Sequence, residues 1–137
     1  MYKLTRKAYQ LSRNDGFSRI TKFTLNGKEA YSYAGYHAEY DLPPYKFIGE
    51  YIDRVGVREA GEITIDLNTP EVVRADDFEQ NGEMVARFIN GATANIDYIN
   101  YMQARYPGCK FLNADRYQPI AIVKDGELMA VVMPLRG

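Results

Sequence analysis

Apolar and polar positions near the C-terminal end of the chain predict a β-hairpin. Two apolar runs, 119–123 and 128–133, flank Asp125-Gly126, a dipeptide that readily adopts the positive φ angles of a type I′ turn. A two-residue turn fixes the register, and the cross-strand pairs that it predicts are Lys124 with Glu127, Val123 with Leu128, Ile122 with Met129 and Ile120 with Val131. Because both faces of the hairpin are apolar, we expect it to lie in the centre of a sheet.

The same kind of pattern predicts further strands. Apolar positions over 20–25 and 28–33 surround Asn26-Gly27, which predicts a second hairpin. Residues 62–67 alternate between apolar and polar side chains, as in a half-buried strand. The remaining predicted strands are 83–89, 108–112, 119–123 and 128–133.

Three segments carry helix signals. A helix over 42–55 follows Asp41, which has the side chain of an N-cap residue. A second helix is predicted over 69–80, because Thr-Pro-Glu is typical of a helix start. The third helix covers 95–106 and begins with the cap residue Asn95.

Together these elements predict an α+β fold with antiparallel hairpins, two or three helices and a C-terminal half in the order βαβββ. No Gly/Ser-rich linker or change in composition interrupts the chain, so we expect residues 1–137 to form a single domain. A chain of this length buries enough surface to fold without covalent or metal staples. Cys109 is the only cysteine, which excludes a disulfide within the chain.

The C-terminal residues MAVVMPLRG resemble the end of bacterial replicative sliding clamps, the beta subunit of the polymerase III holoenzyme. The resemblance extends over 83–137 through the order βαβββ, which is the half-domain unit of that family. It implies a clamp-like half-domain and a role as a DNA-replication accessory or mimic. Two features depart from the family. A clamp subunit carries several such domains, and its inner helices are basic, whereas helix 95–106 has only Arg105 against Asp97.

In sliding clamps the tail strand helps to line a groove that receives short peptide motifs from polymerases and repair proteins. The resemblance places the corresponding positions of this chain at Val131, Met133, Pro134, Leu135 and Arg136. The alternative interpretation is that Val131 and Met133 belong to the core of the domain itself. The first interpretation predicts an apolar site for a protein partner, and the second predicts none.

Charge is unevenly distributed along the chain. Residues 1–28 carry a net charge of +6, and the remainder carries −7. The N-terminal basic residues that nucleic-acid phosphates could contact are Lys3, Arg6, Lys7, Arg13 and Arg19. A solvated strand face with lysine on an exposed edge explains the same composition. The acidic stretch from Glu39 to Glu83 argues against a protein that wraps DNA.

Half of the twelve tyrosines lie between Tyr31 and Tyr51. An exposed cluster of tyrosines suits a protein interface or a platform on which bases stack. The residues expected in this cluster are Tyr31, Tyr33, Tyr36 and Tyr40. Alternating tyrosines are equally typical of a half-covered sheet. The only histidine, His37, lies in the same segment, where a hydrogen-bonded structural role is favoured over that of a base or ligand.

No motif predicts a reaction, a cofactor or a metal site. His37 would have to form a nucleophilic triad with Ser12, Ser18 or Ser32, and none of these serines stands in a nucleophile-elbow context. Cys109 begins a predicted core strand, where cysteine usually acts as a small apolar residue. Glycine patterns that bind phosphates are absent. The acids that a metal-dependent nuclease would need are Asp76, Asp77, Glu79 and Glu83, and their position favours a solvated turn.

The sequence leaves three functions open. The first is a non-catalytic protein-interaction module with clamp-like architecture. The second is a small inhibitor or adaptor of a mobile element, which acts through the tyrosine-rich and acidic surface. The third is a metal-dependent nuclease. The first two require a protein partner, and self-association is open in each. No apolar run reaches the length of a membrane span, so we expect no membrane association and a cytoplasmic location.

Overall fold

The structure, a computed structural model, describes residues 20–32, 37–40, 57–80 and 82–135. Over these residues β-strands dominate and one α-helix is present, so the fold is broadly α+β, as expected. The chain divides into two compact units, residues 1–65 and 66–137, which we call unit 1 and unit 2. The division into two compact units does not show whether each unit folds by itself. The expectation of a single domain therefore stays a prediction.

Unit 1 contains a mixed sheet whose described strands lie in the order β4-β1-β2-β3. These strands are β1 (Ile20–Leu25), β2 (Lys28–Ser32), β3 (His37–Glu39) and β4 (Val57–Ile63). β1 pairs antiparallel with β2 and parallel with β4, while β2 pairs antiparallel with β3. The β1–β2 hairpin turns at Asn26 and Gly27, whose φ angles of 48° and 80° are both positive. This is the backbone that a type I′ turn requires, and it lies at the dipeptide that the sequence predicts.

The fourth strand of unit 1 starts and ends earlier than predicted. We expected a strand over 62–67, but β4 covers Val57–Ile63. The Asn26 side chain accepts a hydrogen bond from the backbone N–H of Ile65 (2.7 Å) and donates one to the Ile65 carbonyl oxygen (3.0 Å). Because these backbone groups bind a turn side chain, they do not continue the strand ladder. The predicted boundaries were therefore wrong.

Unit 2 contains seven described strands and the helix. The strands are β5 (Glu71–Val72), β6 (Arg74–Gln80), β7 (Glu83–Phe88), β8 (Thr93–Asn95), β9 (Lys110–Leu112), β10 (Ile120–Lys124) and β11 (Glu127–Val132). β6, β7 and β8 form one antiparallel sheet in that order. The other four strands of unit 2 pair antiparallel in the order β11-β10-β9-β5. The rings of Phe88 and Phe111, one from each sheet, meet edge to face with centroids 5.0 Å apart.

The helix α1 (Ile96–Arg105) lies where the last helix was predicted. The Asn95 side chain accepts a hydrogen bond from the N–H of Asp97 (2.8 Å). It thereby provides an acceptor for one of the backbone N–H groups in the first turn, which have no acceptor within the helix. Four side chains of α1 are buried, namely Tyr98, Ile99, Tyr101 and Met102. The helix predicted over 42–55 lies outside the described residues.

The order of elements from β7 to β11 is ββαβββ rather than the predicted βαβββ. The difference is β8, a short strand between β7 and α1 that the sequence analysis missed. In addition, β7 pairs with β6 and β8, whereas β9, β10 and β11 belong to the other sheet of unit 2. The prediction was correct for the helix and the three strands that follow it.

The β10–β11 hairpin has the predicted turn and half of the predicted register. Asp125 and Gly126 have φ angles of 52° and 78°, and the two pairs next to the turn form as expected. Further along, Ile122 lies opposite Ala130 and Ile120 lies opposite Val132. The register shifts by one because Met129 is an extra residue in β11, a β-bulge. The predicted pairs of Ile122 with Met129 and Ile120 with Val131 are wrong.

The residues predicted as a helix over 69–80 instead form β5 and β6. The Thr-Pro-Glu signal depends only on neighbouring residues, whereas β6 is held by pairing with β7. Phe78 lies opposite Val85 and Asp76 lies opposite Arg87. Such cross-strand contacts override a weak local preference for helix. This prediction was therefore wrong.

Candidate functional site

The C-terminal tail leaves the sheet after β11 and contacts β8. The N–H of Leu135 donates a hydrogen bond to the Thr93 carbonyl oxygen (2.9 Å), and the Thr93 hydroxyl lies 3.4 Å from the Leu135 carbonyl oxygen. Met133, Pro134 and Leu135 are half-buried. Val131, by contrast, has no exposed surface and pairs with Ala121 of β10. Of the predicted groove residues, Val131 thus belongs to the core, three tail residues reach the surface, and Arg136 lies outside the described residues.

Two of the four tyrosines predicted as an interface are described, and both use their hydroxyl groups within unit 1. The Tyr31 hydroxyl donates to the Glu29 carboxylate (2.9 Å), and this hydrogen bond raises the pKa of Tyr31. The Tyr40 hydroxyl donates to the Leu25 carbonyl oxygen (2.5 Å), and burial raises its pKa. Tyr33 and Tyr36 lie outside the described residues. The tyrosine cluster therefore stays a prediction.

His37 lies in a fully buried polar group at the β2–β3 end of unit 1. Its Nδ1 atom lies 3.2 Å from the Ser32 hydroxyl, and its Nε2 atom lies 3.4 Å from the Glu39 carboxylate. Serine, histidine and acid follow one another as in a nucleophilic triad. However, none of the three has exposed surface, so a substrate cannot reach the Ser32 hydroxyl. The arrangement matches the structural role that the sequence favours for His37.

Two arginines on the β6–β7 sheet each bind an aspartate through two adjacent donors of the guanidinium group, Nε and Nη2. Arg74 donates from Nε and Nη2 to the two carboxylate oxygens of Asp77, at 3.0 Å each. Its Nη1 also donates to the side-chain oxygens of Asn100 and Gln103 on α1, at 2.9 Å each. Arg74 is the anchor of α1 on this sheet. In the same manner Arg87 donates to Asp76 at 2.9 and 2.7 Å.

The geometry of these aspartates argues against a paired metal site for nuclease chemistry. Successive side chains of a strand point to opposite faces, and Asp76 and Asp77 accordingly bind different arginines. The hydrogen bond from Arg87 lowers the pKa of Asp76, which keeps that carboxylate ionised and occupied. Within the described part of the chain, no group of three or more His, Cys, Asp or Glu residues could hold a metal ion.

Cys109, just before β9, does not have the surroundings of an activated nucleophile. The residue is half-buried, and burial raises the pKa of its thiol above the ordinary value. A nucleophilic cysteine needs the opposite shift, because the thiolate is the reactive form. The interpretation of Cys109 as a small apolar residue therefore remains the better one.

The turn over 113–118, which the sequence analysis did not single out, is built around a buried asparagine. Asn113 is 2% exposed, and its Nδ2 donates to the carbonyl oxygens of Gln118 (3.0 Å) and Pro119 (3.2 Å). Its Oδ1 accepts from the Asn90 side chain (2.8 Å), and its N–H donates to the Pro70 carbonyl oxygen (3.1 Å). One side chain thus closes the turn from inside.

The outer side of the same turn presents Arg116 and Tyr117. The Tyr117 N–H donates to the Asp115 carboxylate (2.8 Å), which fixes the backbone beneath both residues. Arg116 Nη2 lies 2.6 Å from the Tyr117 hydroxyl, and the guanidinium carbon lies 4.9 Å from the centre of the tyrosine ring. The Tyr117 side chain is 55% exposed. An Asn-x-Asp turn that ends at proline is the local signal that points to it.

The basic residues predicted to contact nucleic acid, from Lys3 to Arg19, all lie outside the described residues. Of the basic residues nearby that are described, Lys22 lies 3.1 Å from the Glu59 carboxylate and 3.5 Å from that of Glu29. The hydrogen bond to Glu59 raises the pKa of Lys22. Nucleic-acid binding by this stretch stays a prediction. In the part of the chain that the structure covers, no helix is long and apolar enough to cross a membrane.

The sliding-clamp resemblance of the C-terminal residues has neither support nor contradiction from a relative, and it stays a prediction. Neither a protein-family model, nor a curated protein, nor a solved structure matches this chain.

Proposed function

We propose that this chain is a non-catalytic protein-interaction module and that its tail, Met133–Leu135, forms part of the contact surface. The observation that carries the proposal is the state of the tail. It is apolar, half-exposed and already held in place by the hydrogen bond between Leu135 and Thr93. A segment that is ordered before binding loses less conformational entropy when a partner covers it.

The clamp-like part of the proposal concerns the kind of partner. If the half-domain resembles that of a sliding clamp, the tail receives a short peptide from a replication or repair protein, and the chain acts as a replication accessory or mimic. Val131 then supports this surface from the core, since it is fully buried. The partner would contact the three residues that follow it.

A peptide titration tests this proposal. The probe is a fluorescent peptide that carries a clamp-binding motif, its anisotropy is measured against the full chain, and a bacterial sliding clamp serves as the positive control. We expect binding by the wild type and at least about tenfold weaker binding by Met133→Asp, because a carboxylate in an apolar contact stays unpaired.

The matched control is Met84→Asp, which places the same charge on another methionine that is 49% exposed. Its affinity should equal that of the wild type, and thermal melting should show both variants folded. If the sliding clamp binds the peptide and the wild-type chain does not, the clamp-like proposal is wrong. Equal binding by Met133→Asp and Met84→Asp would exclude the tail as the contact surface.

A further inference from the structure

A second surface in unit 2, the turn over 113–118, has the properties of a preformed recognition site. We infer that this turn binds a segment of a partner protein that carries one carboxylate, with Arg116 receiving that carboxylate and the Tyr117 ring covering an apolar side chain beside it. The inference rests on the proposed role in protein binding, but it uses residues that the tail does not. An experiment can therefore refute the role of the turn without refuting that of the tail, and the reverse.

The turn over 113–118 is held in place by hydrogen bonds within unit 2, before any partner binds. The Asn113 side chain binds two carbonyl oxygens at the far end of the turn and is itself held by Asn90. Asp115 accepts from the N–H of Tyr117 through its carboxylate (2.8 Å) and from the N–H of Gln118 through its backbone oxygen (3.2 Å). A backbone with this many internal hydrogen bonds loses little entropy on binding.

The two exposed side chains of the turn, Arg116 and Tyr117, are oriented by contact with each other. Arg116 and Tyr117 contact each other through a hydrogen bond of 2.6 Å and through the face of the ring. This contact uses one of the five N–H donors of the guanidinium group. Arginine and tyrosine are also two of the residues that most often dominate the binding energy of protein interfaces. The pair thus presents an oriented donor next to an exposed ring.

Arg116 also differs from the two arginines of the β6–β7 sheet. Arg74 and Arg87 each bind an aspartate in bidentate fashion. Arg116 contacts Tyr117, and no carboxylate of the described residues lies within ion-pair distance of it. Bidentate binding of a carboxylate is what a guanidinium group does best. The missing carboxylate is therefore the group that the partner is inferred to supply.

Charge favours a protein over a nucleic acid as the partner. Residues 66–137 contain ten acidic and seven basic side chains, a net charge of −3. Nucleic-acid binding depends on several basic side chains that together neutralise phosphates. One arginine in a negatively charged unit does not provide that. A single carboxylate next to an apolar side chain matches both the charge and the ring of the turn.

Selection from a library of short random peptides displayed on phage, panned on the full-length chain, tests the inference. We expect the selected peptides to contain Asp or Glu next to an aliphatic or aromatic residue. In anisotropy titrations with such a peptide, Arg116→Gln should weaken binding by about tenfold or more, and Tyr117→Ala by about threefold or more. Both side chains are at the surface, so thermal melting should show the variants folded.

Lys110→Gln is the matched control, since it also removes one positive charge from unit 2, at a side chain that is 71% exposed. It should change the affinity by less than about twofold. Met133→Asp should leave this peptide bound, which separates the turn from the tail. The inference is overturned by selection without acidic residues, by equal binding to wild type and Arg116→Gln, or by single-stranded oligothymidylate that binds more tightly than the peptides and depends on Arg116.

Discussion

The arginines of the β6–β7 strands and the arginine of the 113–118 turn have different kinds of partner. On the strands, Arg74 and Arg87 each bind an aspartate that lies within three residues in sequence or directly across the sheet. In the turn, Arg116 contacts the ring and hydroxyl of its neighbour Tyr117. The first arrangement uses the charge to hold secondary structure together. The second leaves most of the guanidinium N–H donors without a hydrogen bond to a described residue, as the inferred binding of a carboxylate requires.

Some charged and polar side chains of this protein stabilise the fold, and others are available to a ligand. Because the same residue types occur in both groups, residue type alone does not identify a binding site. Asp76 and Asp77 are acids that already have partners, and Ser32, His37 and Glu39 have none of their surface exposed. The 113–118 turn is exposed, and most of the guanidinium N–H groups of Arg116 have no hydrogen-bond partner among the described residues. Substitutions at the two kinds of position test whether they differ in their effect on stability.

The largest expected effect follows from Asn113→Ala. The change removes the partner of the Gln118 and Pro119 carbonyl oxygens and of the Asn90 amide, in part-buried contacts around the almost fully buried Asn113. We expect the free energy of unfolding to fall by about 3 kcal/mol, because each of the lost hydrogen bonds contributes about 1 kcal/mol. Chemical denaturation measures it. Asn68→Ala, at an exposed position, is the control and should be nearly neutral. Equal loss in both variants would contradict the role of Asn113.

A smaller loss is expected from Arg74→Met, which keeps the length of the side chain and removes its charge. The variant loses the hydrogen bonds to Asp77, Asn100 and Gln103, so α1 is less firmly attached to the sheet. The free energy of unfolding should fall by about 2 kcal/mol. Arg74→Lys should recover less than half of this, since an ammonium group cannot reproduce the bidentate geometry. Arg116→Gln, measured in parallel, should have the same free energy of unfolding as the wild type. If its free energy of unfolding fell as much as that of Arg74→Met, Arg116 would also stabilise the fold, and the two kinds of arginine would not differ.

The smallest effect concerns the dependence of stability on pH. The hydrogen bond from Arg87 lowers the pKa of Asp76 below its ordinary value near 3.8. A carboxylate whose pKa is lower in the folded state contributes stability above that ordinary value, and the contribution disappears as the pH falls through the folded-state pKa. Asp76→Asn should therefore melt below the wild type at neutral pH, and the two melting temperatures should converge in acid. A difference that stays constant down to about pH 2 would exclude this linkage.

Local signals predicted what depends on neighbouring residues. Asn26-Gly27 and Asp125-Gly126 both mark turns because positive φ angles suit few other residue pairs. Asn95 marks the start of α1 because its side chain bonds two residues ahead. In each of these places, the backbone conformation is decided by residues that are adjacent or nearly adjacent in sequence. No knowledge of distant contacts was needed to predict them.

The errors occurred where distant residues decide the structure. Residues 71–80 form strands because β7 and β9 supply partners that lie elsewhere in sequence, and the bulge at Met129 has no signal in the residues next to it. The Asn-x-Asp sequence indicates the turn over 113–118 locally, but it does not reveal that the turn is rigid. That rigidity depends on Asn90 and Pro70, which no local pattern connects to Asn113.

The acids of β6 have a consequence for the behaviour of the chain at high concentration. Among the described strands, β6 is the outer one of the sheet β6-β7-β8, and a strand in that position is a template on which further strands can add. Asp76, Asp77 and Glu79 lie along it in exposed positions. Arg74 and Arg87 offset part of the negative charge of Asp77 and Asp76. We expect the remaining charge to oppose pairing of β6 with a second copy of itself, because like charges would lie opposite each other. The side chains that were first considered as metal ligands would then also disfavour self-association at this sheet edge.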